Sequence, residues 1–305
     1  MRNAILILSA VTLSAASLKV TQVAETMEVT LDGKPLTAFH YGQKWEKPFL
    51  YPLRTPAGTL LSRGWPVDER VGDSKDHVWH RGLFFGHGDI NGVDFWRELG
   101  TGKTGKFVAT HPPTFRKGLL AGEADMITPK GEKLGSVRQE YRFARTRDAF
   151  QVDARMSFRA DAGVALKIGD TEEAAFGVRL REEFREDRGA SLANSEGLTG
   201  TKNIWGKRAK WVDYSTTVEG KPVGLAIFDH PSNPGAPTYW HARGYALNSA
   251  NAFGVRDFTG DKTKVGSMNV AAGQTLTFRY LVVIHDGDAQ AAGIAKLYES
   301  FAATR

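Results

Sequence analysis

The chain of 305 residues contains no cysteine. That absence excludes disulfides, thiolate metal sites and a lipid-modified N-terminal cysteine. A chain this long has enough core to stand without covalent staples. Long hydrophobic runs are missing too: past the first residues no stretch approaches ~18 uncharged apolar residues, so no later segment is built to span a bilayer. Charge of one sign is not concentrated anywhere. The formal balance is +6, but basic and acidic residues alternate, as in REEFREDRG at 181–189. A nucleic-acid footprint needs a stripe of one sign, so that class of partner is not expected. Segments rich in proline and serine that would divide the chain are absent, as are internal repeats.

Several catalytic signatures are also lacking. GTGKTG at 100–105 has Arg97 where a phosphate loop needs its first glycine, and neither G-x-S-x-G nor H-E-x-x-H occurs.

What is present begins with a leader. Met1-Arg2-Asn3, the apolar run Ala4–Leu13 and the small residues Ser14-Ala15-Ala16 have the form of a secretory signal peptide with cleavage near Ala16. A secreted or periplasmic protein, free of the membrane once the signal is removed, is expected. From residue 26 on, short runs such as SVRQEYRFAR, AFQVDARMSFRA, VGLAIFDH and QTLTFRYLVVIHD alternate apolar and polar residues between turns. The pattern predicts one all-β domain over 17–305, a large two-sheet β-sandwich. Near the C-terminus Asp288 would cap a short helix with Ile294, Leu297, Tyr298 and Phe301 on one face.

The densest chemistry lies in DHVWHRGLFFGHGDINGVDFW, residues 76–96. Asn91-Gly92 is the strongest short hairpin signal, because a type I′ turn needs positive φ at both central residues. An ideal hairpin would pair Ile90 with Val93, Asp89 with Asp94 and His87 with Trp96. His87, Asp89, Asp94 and Trp96 then share one face, while Phe84, Ile90, Val93 and Phe95 look like core. Facing carboxylates repel, which points to a shared proton, a cation or a polar ligand between them. A sugar suits the set, with hydroxyls on carboxylates and imidazole and the pyranose face on indole. The alternative is a glycine bulge at Gly82, Gly86 or Gly88 that slips the register and leaves the aspartates capping turns. His77 and His80, joined by His87, would supply a three-histidine zinc or copper site if their nitrogens converged.

FDHPSNPGAPTYWHARGY at 228–245 is the second dense region. Tyr239, His241, Arg243 and Tyr245 share a strand face, and a proline-bearing loop presents Asp229 and His230 beside it. GDTEEAAFGVRL at 169–180 adds Glu172, Glu173 and Arg179, and Trp205 and Trp211 follow.

Together KPFLYPLRTPAG, DHVWHRGLFFGHGDINGVDFW, IWGKRAKWVDY, FDHPSNPGAPTYWHARGYAL and ANAFG resemble the PmoA-like family of bacterial secreted proteins, from about Pro48 to the C-terminus. The family motifs fall on His77, His80, Arg81, His87, Asp89, Asn91, Asp94 and Trp96, then on Asp229, His230, His241 and Arg243. The resemblance implies a role in carbohydrate metabolism. One departure is Thr171-Glu172-Glu173-Ala174, where the family has a basic residue and a glycine.

The expected function is therefore a sugar-processing enzyme on a mutarotase-like supersandwich, of hydrolase, lyase or epimerase type; the sequence requires no cofactor and leaves the identity of any cofactor or metal open. His87 or His241 would be the general acid and Asp89 or Asp94 the general base. His77, His80, Arg81, Trp96, Glu173, Arg179, His230, Tyr239 and Arg243 would bind substrate. A non-catalytic carbohydrate-binding protein is the alternative, and a histidine-bound metal oxidoreductase the third.

Overall fold

The computed structural model describes residues 17–100, 102–146 and 148–304, so the leader expected at 1–16 lies outside the described residues. Two antiparallel sheets make up most of it. One has eight strands in the spatial order Leu18–Val23, Thr26–Leu31, Lys34–His40, Phe49–Tyr51, Leu83–His87, Ala174–Arg179, Leu247–Asn251 and Tyr239–Trp240. The other has nine, with the long strands Lys133–Arg145, Ala149–Ala160 and Thr275–Asp286 at its centre. The expected all-β two-sheet sandwich is what the chain forms.

Alternation decides which side chains meet. Leu83, Phe85, Phe176, Val178, Trp240 and Ala250 of the eight-stranded sheet point inward and join one cluster with Met156, Phe158, Phe278, Tyr280 and Val282 of the other. Phe176 stacks on Tyr280 with centroids 4.7 Å apart, and Phe85 meets Phe158 at the same distance. Burying side chains of this size stabilises the fold by roughly 1.5–3 kcal/mol each.

The outer faces differ. On the nine-stranded sheet the helix Ile294–Ala302 lays Ile294, Tyr298 and Phe301 over Ala226, Phe228, Leu281 and Val283. This is the expected C-terminal helix, although Asp288 caps the turn before it by accepting the Ala291 amide. On the eight-stranded sheet, among the described residues, no helix covers the outer face except at its Tyr239–Trp240 edge, where Phe258 of the short helix Val255–Thr259 packs. Loops do, and they bring Trp45, Val67, Trp79, Trp96 and Tyr245 onto Phe49, Tyr51, Phe84 and Leu247. No helix among the described residues is long and apolar enough to cross a membrane.

Candidate functional site

The outer face of the eight-stranded sheet is where the two dense sequence regions meet. Its organiser is Arg63, a fully buried guanidinium that no motif signalled. Arg63 donates to the carbonyls of Ser74, Asp76, His77 and His80 and to the Asp76 carboxylate at 2.8 Å. A single side chain thus ties down the whole 74–80 loop. Within it His77 adopts a left-handed φ of 43°, sparsely populated for a residue with a Cβ and maintained only where surroundings enforce it.

Arg179 reaches the same carboxylate from the floor, 3.0 Å from Asp76 Oδ1. Burial pushes the Asp76 carboxyl upward, but the hydrogen bond with His77 and the charges of Arg179 and Arg63 outweigh it and hold it well below the usual range. The other Asp76 oxygen lies 2.6 Å from His77 Nδ1. An ionised carboxylate there fixes the imidazole with Nδ1 protonated and Nε2 directed away from Asp76.

His77 is one layer of a four-ring column. Tyr245 stacks on His77 at 5.2 Å, His77 on His80 at 5.0 Å, and His80 on Phe84 at 5.4 Å. Trp79 and Trp96 meet the column edge-on. Burial, reinforced by Arg179, His77, Lys47 and Arg63, drives the His80 pKa far down and keeps that ring neutral. Both His80 nitrogens and the indole N–H groups of Trp79 and Trp96 are buried with no hydrogen-bond partner among the described residues. Unpaired buried polar atoms cost roughly 1–3 kcal/mol each, and they gather here.

Around the column runs a charged rim. Arg97 bridges Asp94 and Glu173, each at 2.9 Å. Arg81 and the fully buried Lys47 share Glu98, and Lys47 also donates to the Trp96 carbonyl at 2.6 Å. Burial raises the Glu98 pKa, but the charges of Lys47 and Arg81 more than reverse that and keep it ionised. His241 Nδ1 lies 3.4 Å from Glu172 and 3.3 Å from Trp205 Nε1. One tautomer donates to Glu172, the other accepts from Trp205, and a single nitrogen cannot do both at once. The His241 hydrogen bond, partly opposed by burial, lowers the Glu172 pKa, helped by the charges of His241, Arg243 and Arg97. Burial raises the Tyr245 hydroxyl to about 12, against the pull of Arg179 and Arg243, so it is a neutral donor.

Of the side chains singled out from the sequence, His77, His80, Arg81, Asp94, Trp96, Glu173, Arg179, His241 and Arg243 belong to this face. Others do not. The turn forms as expected, with φ of 52° at Asn91, 81° at Gly92 and Ile90 paired with Val93. Beyond it the Phe95 amide bonds the His87 carbonyl, one residue off the ideal register, while Gly88 bonds Glu173 and Asp89 bonds the His87 ring. A bulge at Gly88-Asp89 therefore separates the four residues expected on one face. His87 turns into the intersheet core, edge-on to Phe253 at 4.7 Å, while Trp96 packs with Phe84 on the outer side. Burial takes the His87 pKa down to about 3, only partly offset by backbone hydrogen bonds, which keeps the ring neutral and unsuited to act as a general acid.

The facing aspartates are also resolved separately. Asp89 caps the hairpin by accepting the Gly92 amide, and Asp94 accepts the Trp96 and Arg97 amides besides its ion pair. His230 sits by the C-terminal helix, bonded to the Thr304 carbonyl and edge-on to Phe301. Tyr239 stacks on Phe258 under Arg208, at the border of the face. Nor does a three-histidine metal site form. The His77 and His80 rings are parallel within 3°, so their in-plane lone pairs do not converge, and His87 is behind the sheet. Among the described residues no group of three or more histidine or carboxylate side chains is placed to hold a metal.

Asp76, Arg63, Arg97, Lys47 and Glu98 were missed. Asp76 stands next to His77 in sequence, a signal that was available. The others are ordinary charged residues in sequence, and only burial beside one another distinguishes them.

An all-β sandwich with an aromatic and ionisable cluster on one outer sheet face is the class of protein this structure defines. The chain belongs to the family of unknown function DUF6807, matched over residues 26–299. No curated protein matches it. Among solved structures it is similar to a galactose mutarotase-like protein from Lactobacillus casei, at 8% identity and a TM-score of 0.39, covering 88% of this chain and 100% of that one. It is also similar to a heparan sulfate lyase HepC mutant from Pedobacter heparinus, at 9% identity and a TM-score of 0.37. There it covers 92% of this chain but 36% of the lyase. A galactose mutarotase related enzyme from Lactobacillus acidophilus matches at 6% identity and 0.37, covering 88% and 97%.

Proposed function

We propose that the outer face of the eight-stranded sheet binds a carbohydrate and acts on it by acid–base chemistry, with His77 as the proton-transferring group. The observation that carries this is the Asp76–His77 pair, 2.6 Å apart, beneath the ring of Tyr245 and beside Trp79. A carboxylate on Nδ1 fixes the tautomer, leaving Nε2 to give or take a proton at a sugar oxygen or carbon. Partly exposed Trp79 and Tyr245 offer the flat apolar surface on which a pyranose stacks. The PmoA-like resemblance agrees with the carbohydrate side of this reading, and the leader expected from the sequence of residues 1–16 would agree with export.

The test is a glycan panel scored for both binding and turnover. His77→Gln should retain binding while turnover falls ~10²-fold or more, with Asp76→Asn following in the same direction. Binding without turnover in the wild type would leave a carbohydrate-recognition protein, and no binding to any glycan would end the proposal.

A further inference from the structure

Almost every cation on this face is engaged by a carboxylate. Lys47 and Arg81 hold Glu98, Arg63 and Arg179 hold Asp76, and Arg97 holds Asp94 and Glu173. Arg243 differs. Among the described residues its guanidinium takes part in no hydrogen bond or ion pair, and it lies half-buried 6.0 Å from the Trp205 ring and 5.8 Å from that of Tyr245. Its main chain is well held. The Arg243 amide donates to Leu247, and its carbonyl accepts from Ala246 and from the Tyr214 hydroxyl. The result is a rigidly mounted stem carrying an uncommitted fork, flanked by two aromatic rings.

A guanidinium presents paired N–H donors in a plane that matches a carboxylate or sulfate, and aromatic flanks orient it without consuming those donors. Elsewhere on the face the charges offset one another, since Glu98 and Asp76 are each shared by two cations, Arg97 by two carboxylates, and Glu172 lies against His241; Arg243 is the cation left without a carboxylate contact among the described residues. A neutral sugar would leave this fork to water. We propose that the ligand of this face is an acidic carbohydrate, whose carboxylate or sulfate is received by Arg243 while its ring lies against Tyr245. This rests on the carbohydrate reading above and adds the substrate class to it.

Three probes of equal length decide the matter by titration calorimetry: a hexuronate oligomer, a sulfated oligosaccharide and an uncharged oligosaccharide. The wild type should bind one of the charged probes about tenfold or more tighter than the uncharged one, and the better of the two identifies the anion. Arg243→Gln should abolish that preference, and Arg243→Lys should keep part of it, since an ammonium keeps the charge but loses the fork. Thermal melts of both variants confirm that each is folded. The inference is overturned if the wild type binds the uncharged probe as tightly as both acidic ones, or if Arg243→Gln leaves the preference intact. Binding to none of the three would overturn the carbohydrate reading with it.

Discussion

The imidazole of His77 and the phenol of Tyr245 lie face to face, centroids 5.2 Å apart and planes 11° from parallel. They come from loops far apart in sequence, so this contact reports whether the outer face is assembled. Stacked pairs contribute about 0.5–1.5 kcal/mol beyond their buried area. A urea-denaturation cycle of His77→Ala, Tyr245→Ala and the double variant should show a coupling of that size, with Tyr245→Phe close to wild type. Strictly additive losses would mean that the stack contributes nothing.

Asp76 is the counterion of two buried arginines, each with a fully inaccessible side chain. Removing it takes away the carboxylate both contact directly, although Glu182 remains near each, at a cost of about 2–4 kcal/mol, below the usual range for buried pairs because Asp76 itself is 40% exposed. Chemical denaturation of Asp76→Ala checks this. Asp76→Asn retains the acceptor oxygen and should lose less; equal losses would show that charge alone matters.

His87 makes the protein acid-sensitive. Its pKa is about 3 in the fold, against 6.5 in an unfolded chain, so the unfolded state takes up the proton first on acidification. The stability His87 contributes is present above pH ~6.5 and drains away as the pH falls toward 3, amounting to roughly 2–3 kcal/mol lost by pH 4.5. The difference between wild type and His87→Leu, measured at pH 7.5 and pH 4.5, should narrow by that amount. A constant difference would refute it.

Asp229 acts in the opposite sense. Burial raises it to about 7, although hydrogen bonds from Asn233 and the Thr238 amide work against the rise. A carboxyl whose folded pKa lies above the unfolded ~3.9 stabilises most below pH ~4, and that stabilisation fades as the pH climbs through 7. Melting curves from pH 5 to pH 8 should therefore slope down more steeply for the wild type than for Asp229→Asn. Parallel slopes would show that Asp229 keeps an ordinary pKa.

Asp89 and Asp94 each accept backbone amides. Asp89→Ala and Asp94→Ala should each cost roughly 1–3 kcal/mol, the larger loss falling on Asp94, which also holds Arg97. Thermal melts decide it, and a gain in stability in either variant would restore the picture of two carboxylates in mutual repulsion.

Short-range chemistry was readable in the sequence. Asn91-Gly92 closes its turn because two adjacent residues tolerate positive φ, whatever surrounds them. Alternation announced the strands, and the spacing of Ile294, Tyr298 and Phe301 announced the helix that covers the nine-stranded sheet. Both depend only on the period of the local backbone. The gathering of His77, Arg179, Glu173 and Arg243 on one face was signalled no further than that each belonged to a chemically dense segment. Which face each side chain takes was decided elsewhere. The Gly88-Asp89 bulge moves the pairing by one residue, and since side chains in a strand alternate sides, that step parts His87 from Trp96. Arg63 and Lys47 gained their roles only through burial beside Asp76 and Glu98, because a charge becomes structurally decisive when neighbours remove its water.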